Sequence, residues 1–270
     1  MRKDISKFSF PYSRRKGFLM IKSAESVSPK HPDKICDQIS DAILDAVLEQ
    51  DTAARVAVEA LGGHNHLVVM GEVTTTADIN YQAIAREFIE DDFELTINIT
   101  KQSPEISQGV DTGGAGDQGV MVGYATNETS SLIPLETELS RDLNRLIFEQ
   151  HAYDGKTQIT LNDQKIESVV ASFQNVAAKE LTEIAKKWLK NKPVRKDVII
   201  HANPAGDWAT GGFESDVGLT GRKLAVDNYG PHIPIGGGCF SGKDPTKVDR
   251  SAAYMARKIA VDLLTKHNAD

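Results

Sequence analysis

Cysteine is nearly absent from the chain: Cys36 and Cys239 are the only two in 270 residues. Two thiols so far apart give neither a disulfide framework nor a zinc cluster, and they suit a reducing cytoplasm, where the protein is expected. No apolar run approaches the length of a membrane span, so no membrane partner is expected. Positive charge is not in excess either. The formal net charge is −7, whereas a general nucleic-acid binder carries a basic stripe that replaces counterions along phosphates. Phosphate recognition, if present, must be local. The remainder is ordinary for a folded protein, with 40% hydrophobic and 26% charged residues. The length allows a sizeable core, in one large domain or two to three small ones.

Residues 1–20 differ from the rest, with Arg2, Lys3, Lys7, Arg14, Arg15 and Lys16 against one acid, Asp4. The segment lacks the continuous apolar stretch of a signal peptide. It reads as a disordered extension or a misplaced start, Met20 offering a second start.

Hydrophobic periodicity then organises the chain. Ile35, Ile39, Ala42, Ile43, Ala46 and Val47 form one stripe of a helix over 33–50, with Pro32 suited to its first turn. Strands follow at 55–61 and 67–75, a helix at 77–91 and a strand at 94–100. The order recurs: a helix opened by Pro134, strands at 157–161 and 166–173, a helix at 176–189 and a strand at 198–201. Pro245 opens a third such helix, carrying Val248, Ala252, Met255, Ile259 and Leu263. The repeat predicts an α+β fold of three pseudo-repeated domains, each a sheet covered by helices, over 21–110, 111–212 and 213–270, the third reading as incomplete.

Several motifs carry chemistry. His31-Pro32-Asp33-Lys34 sets an imidazole, a carboxylate and an ammonium at a helix start, where free N–H groups and the helix dipole favour an anion. Asp33 there suits either magnesium or simply a favourable first-turn charge. Gly236 to Asp244 has the letters of a P-loop up to Lys243, but Asp244 replaces the hydroxyl residue that would hold magnesium. The alternative is an Asp244 N-cap with Pro245 at N1. Lys247 and Asp249 lie one turn further on, Arg222-Lys223 follows a glycine turn, and residues 113–119 form a second glycine-rich turn. Glu59 and Glu72 lie in apolar strands, either as ligand groups or as outward-facing positions.

Together these segments resemble the methionine adenosyltransferase, or S-adenosylmethionine synthetase, family. The resemblance rests on Glu25-Ser-Val-Ser, His31-Pro-Asp-Lys-Ile, Asp37-Gln-Ile-Ser-Asp, Gly71-Glu-Val-Thr-Thr, Lys101-Gln-Ser-Pro, Gly114-Ala-Gly-Asp-Gln-Gly, Gly123-Tyr-Ala-Thr-Asn-Glu-Thr, Gly218-Leu-Thr-Gly-Arg-Lys and Phe240-Ser-Gly-Lys-Asp-Pro. It implies ATP and L-methionine as substrates, Mg2+ and K+ as cofactors, and a homodimer or homotetramer with active sites shared between subunits. It further implies attack of the methionine sulfur on C5′ of ATP, then cleavage of the released tripolyphosphate. Residue by residue, it places His31 at the reacting carbon and Lys156, Arg222, Lys223 and Lys243 along the polyphosphate. Asp154, Asp207, Trp208, Asp216 and Cys239 complete the nucleotide site, with Trp208 where an adenine-stacking phenylalanine is usual. Glu72, Gln102, Asp216 and Lys247 receive methionine, Asp33 binds magnesium and Glu59 potassium.

Besides Trp208 and the incomplete third domain, the chain departs from the family at three places. Asp207 stands for a usual arginine, Pro29-Lys30 replaces Glu-Gly, and the stretch 108–116 is a shorter mobile loop. Two other functions remain open: a catalytically weak nucleotide-binding or regulatory subunit of the same family, and an ATP-dependent kinase, which needs a base beside the γ-phosphate.

Overall fold

A computed structural model describes residues 21–102 and 114–267. The expectations for the N-terminal extension and for most of the stretch 108–116 fall outside these residues. In the first part, β1 (Ile21–Val27) leads into α1 (Pro32–Gln50), β2 (Arg55–Gly63), β3 (His66–Thr74), α2 (Tyr81–Arg86) and β4 (Glu94–Thr100). The second part repeats this order as α3 (Leu135–Gln150), β5 (Gly155–Asn162), β6 (Lys165–Phe173), α4 (Ala178–Leu189) and β7 (Val194–Ala202). Then follow β8 (Gly218–Leu219), α5 (Leu224–Asp227) and α6 (Val248–His267).

The repeat extends to turn geometry. β2–β3 and β5–β6 are antiparallel hairpins, and β4 and β7 each return parallel to the second strand of their hairpin. Both hairpins close through two residues with positive φ, His64 and Asn65 at 50° and 62°, Asp163 and Gln164 at 53° and 61°. Such pairs match the twist of the flanking strands.

The sheets run β4-β3-β2-β8 and β7-β6-β5-β1. Thus β1, which precedes α1, pairs along its whole length with β5, while β8 pairs with β2. Two edge strands thus lie outside the units expected as contiguous stretches: β1 of the first joins the second sheet, and β8 of the third joins the first.

α1 buries Ile39, Ile43 and Val47 against Val56, Val58 and Val69 of the first sheet. The equivalent helix α3 buries Leu139, Leu143 and Ile147 against Ile159, Ile166 and Val169 of the second. At roughly 25 cal/mol per Å² of apolar surface, these two interfaces supply the main driving force.

Two helix boundaries and the third unit differ most from expectation. The helix expected over 77–91 is only Tyr81–Arg86, because Asn80 accepts from Ala83 N and Arg86 Nη1 binds the carbonyls of Glu90 and Asp91, turning the chain. The helix expected from Pro245 opens at Val248, because Asp244 is buried and committed to other donors. Met255, Ile259 and Leu263 on α6 are more than half exposed, and no third sheet forms among the described residues.

Candidate active site

The start of α1 gathers the first cluster. His31 is its N-cap, Nδ1 accepting from Asp33 N at 3.1 Å. Burial above all, then the charges of Lys223 and Lys156, lower the imidazole pKa from 6.5 to about 4. The ring is therefore neutral near pH 7, and with Nδ1 accepting, its proton sits on Nε2. The 3.8 Å approach of Nδ1 to Asp33 Oδ2 is accordingly not an ion pair.

Asp33 is fully buried, yet charged. Its Oδ1 accepts from Leu219 N at 3.0 Å and lies 2.8 Å from Arg222 Nε, and its Oδ2 meets Lys223 Nζ at 2.5 Å. Burial opposes the charge, but the Lys223 hydrogen bond, the Leu219 N–H and the two cations hold the carboxyl below its ordinary range. Gly218 makes this approach possible: a Cβ there would sit 2.1 Å from Pro32 O, so only glycine lets β8 lie on the first turn of α1.

Asp154, Lys156, Trp208 and Asp216 border this cluster. Lys156 and Asp216 act through charge on both His31 and Asp154. Asp154 is buried, which raises its pKa, while Gly212 N donates to it at 2.9 Å. The Trp208 indole donates to Ser172 Oγ at 3.0 Å, and Ser172 is the strand partner of Lys156.

A second cluster lies farther along the same edge of β2. Gly242–Asp244 lines up beside Val56–Val58, with Val58 N bonded to Gly242 O and Asp244 N to Val56 O. Gly242, at φ 74°, is required, since a Cβ would sit 2.1 Å from Val58 O. Lys243 Nζ meets Asp249 Oδ2 at 2.6 Å, and Lys247 Nζ meets Asp244 Oδ2 at 2.6 Å. Asp244 also accepts from Val56 N and Thr246 N. This strand-like pairing explains why the segment is not a P-loop: its backbone binds a neighbouring strand instead of cradling phosphate.

Ala57 pairs with Glu72 on one side and Lys243 on the other. Paired residues share a face, so Glu72 and Lys243 line the side of the sheet turned away from α1. Glu59 is exposed on that face beside Met70, and Leu61 and Leu219 are exposed there too. Gln102 follows β4, its N–H donating to Thr74 Oγ1 at 3.3 Å. Cys239 joins the two clusters through Gly221, where a Cβ would lie 2.8 Å from its sulfur. Burial raises the Cys239 thiol to about 11, so it is a packing group rather than a nucleophile.

Asp207 is engaged elsewhere, accepting from Ala178 N and Asn203 Nδ2 at the start of α4. Conversely, Asp249 belongs to the second cluster as the partner of Lys243. Its position two residues after Lys247, at the start of the last helix, was the available signal.

The S-adenosylmethionine synthetase N-terminal domain family matches residues 19–108, the central domain family 112–208 and the C-terminal domain family 210–270. The chain belongs to the S-adenosylmethionine synthetase family. It is 40% identical to an S-adenosylmethionine synthase of Mycoplasma mycoides, over 92% of this chain and 74% of that protein. Similar relatives are the S-adenosylmethionine synthases of Mesoplasma florum, 41% identical over 92% of this chain and 76% of that protein, and of Brachyspira hyodysenteriae, 40% identical over 92% and 75%.

Among the described residues, no group of three or more His, Cys, Asp or Glu side chains is placed to hold a metal by itself. Magnesium commonly takes only one or two carboxylates and completes its shell with phosphates and water; the buried Asp33 carboxylate is one such group, its oxygens committed here to Leu219 N, Arg222 and Lys223.

Proposed function

We propose that this methionine adenosyltransferase joins ATP and L-methionine at a site assembled from both clusters. The observation that carries the reading is Asp33 held by Arg222 and Lys223 beside the neutral His31. Cations neutralised only by a carboxylate of their own chain can turn to a polyphosphate when one arrives.

The sulfur lone pair forms the S–C5′ bond, and the C5′–O5′ bond breaks with its electron pair passing to the tripolyphosphate oxygen. A thioether has no proton to lose, so the barrier lies in alignment and in stabilising the leaving charge. Arg222, Lys223, Lys156 and Lys243 supply that stabilisation, and His31 Nε2–H donates to the departing oxygen. Water then cleaves tripolyphosphate to phosphate and diphosphate on the same cations. Trp208 offers its aromatic face to adenine, with Asp154, Asp216 and Cys239 bordering the nucleotide. Glu72, Gln102 and Lys247 face methionine.

Asp33 would hold magnesium, which would supply charge neutralisation when bound, and Glu59 would contribute one ligand to potassium. A second copy of the chain is expected on the outer face of the first sheet, where Leu61, Met70 and Leu219 are exposed around Glu59 and Glu72. That apposition gives a homodimer, or a homotetramer built from it, with each site shared.

Incubation with ATP, methionine, magnesium and potassium, followed by mass analysis, is the test. S-adenosylmethionine with phosphate and diphosphate is expected. ADP as product would indicate a kinase, and binding without turnover at every protein concentration would indicate a regulatory subunit.

A further inference from the structure

We infer that Lys34 is a positioning residue that clamps the Arg222–Lys223 dipeptide in place, an inference that rests on the phosphate-binding role proposed above for that dipeptide. Lys34 Nζ lies 3.0 Å from Asp37 Oδ2 and 2.6 Å from Asp227 Oδ1. Each carboxylate is tied to one end of the dipeptide. Asp37 Oδ1 accepts the N–H of Gly221, immediately before Arg222, at 2.9 Å. Asp227 donates its own N–H to the carbonyl of Lys223 at 2.9 Å, across the single turn of α5. One ammonium on α1 therefore grips both flanks of a segment whose side chains converge on Asp33, itself one residue before Lys34.

The surroundings favour a fixed geometry. Asp37 is buried, while the Lys34 side chain is 25% and that of Asp227 21% exposed. Burial works against the Lys34 charge, but Asp227 and Asp37 outweigh it and keep the ammonium protonated. Gly221 has φ 77° and is pressed against Cys239, so the turn cannot easily move outward. Arg141 adds a brace behind α5, donating to the carbonyls of Val226 and Asn228.

Titration calorimetry of the full chain with magnesium tripolyphosphate tests this, with melting temperature recorded alongside. Lys34→Met keeps most of the stem and removes the charge. It is expected to weaken tripolyphosphate binding about tenfold or more, and to lower kcat more than it changes the KM for methionine. It also leaves Asp37 and Asp227 facing each other with only the Arg141 charge beside Asp227, so the double variant Lys34→Met/Asp227→Asn is made as well. That variant is expected to recover melting temperature while tripolyphosphate binding stays weak, and Lys34→Arg to bind within roughly threefold of wild type.

Binding by Lys34→Met within about twofold of wild type would overturn the inference. So would recovery of binding together with melting temperature in the double variant, since Lys34 would then only balance charge. Wild-type protein that binds tripolyphosphate but forms no S-adenosylmethionine would contradict the proposed function and leave the clamp standing.

Discussion

Asp33 and Lys223 stand 190 positions apart in the chain and meet at 2.5 Å at the start of α1. With Arg222 Nε on the other oxygen, the Asp33 carboxylate is fully compensated before any ligand arrives. A phosphate chain that attracts Arg222 and Lys223 frees Asp33 in the same event.

Metal and phosphate binding should therefore be coupled. Magnesium titrated into the protein alone is expected to bind weakly, and magnesium with tripolyphosphate at least about tenfold more tightly, a coupling of ~1.4 kcal/mol. Asp33→Asn should abolish the difference. Equal magnesium affinity with and without tripolyphosphate in calorimetry would contradict the exchange.

Acid stability should report His31. Its folded pKa, about 4, lies below its ordinary 6.5, so between these values the unfolded chain binds a proton that the folded chain refuses. The His31 contribution is thus fully present above about pH 6.5 and is lost as the pH falls toward 4. Asp33 adds a loss at lower pH, as its depressed carboxyl is finally protonated. His31→Asn, which keeps a capping side chain, should flatten the melting-temperature profile between pH 6.5 and 4. An unchanged profile would show that His31 is not buried neutral.

Lys243→Met should separate turnover from substrate binding. Lys243 pairs with Asp249 in the free protein and is assigned to the leaving tripolyphosphate. Steady-state kinetics are expected to show kcat reduced by about 100-fold or more, with the methionine KM within about threefold of wild type. Parallel losses in both would contradict the assignment.

Much of the fold was legible because it is local. The strand at 94–100 coincides with β4, and α1 differs from its expected start by one residue, since both follow from periodicity and a proline at N1. β1 and β8 were not foreseen. Their partners lie in the other unit or across the chain, and no local period records such pairings. The site divides in the same way. The chemistry of His31 and Asp33 could be read from a helix start, but nothing in sequence spacing joins Asp33 to Arg222 and Lys223, and only the family resemblance drew them together. Asp244 looked like a helix cap because Asp-Pro often is one, whereas its carboxylate is buried against Val56 N.

The last helix offers a stability contrast. Ile259 is 51% exposed on α6, whereas Ile43 is fully buried on α1. Ile259→Ser is expected to change unfolding free energy by under ~0.5 kcal/mol, and Ile43→Ala to cost about 2–5 kcal/mol. Urea denaturation measures both. A large loss at Ile259 would mean that this stripe is covered in solution.

Attack at carbon is decided by the fate of one oxygen. ATP carrying 18O at the bridging O5′ is incubated with methionine, magnesium and potassium, and the products are weighed by mass spectrometry. Label is expected in the released phosphate or diphosphate, with none in the adenosyl product. Label retained on the adenosine moiety would place the attack at phosphorus and contradict the proposed reaction.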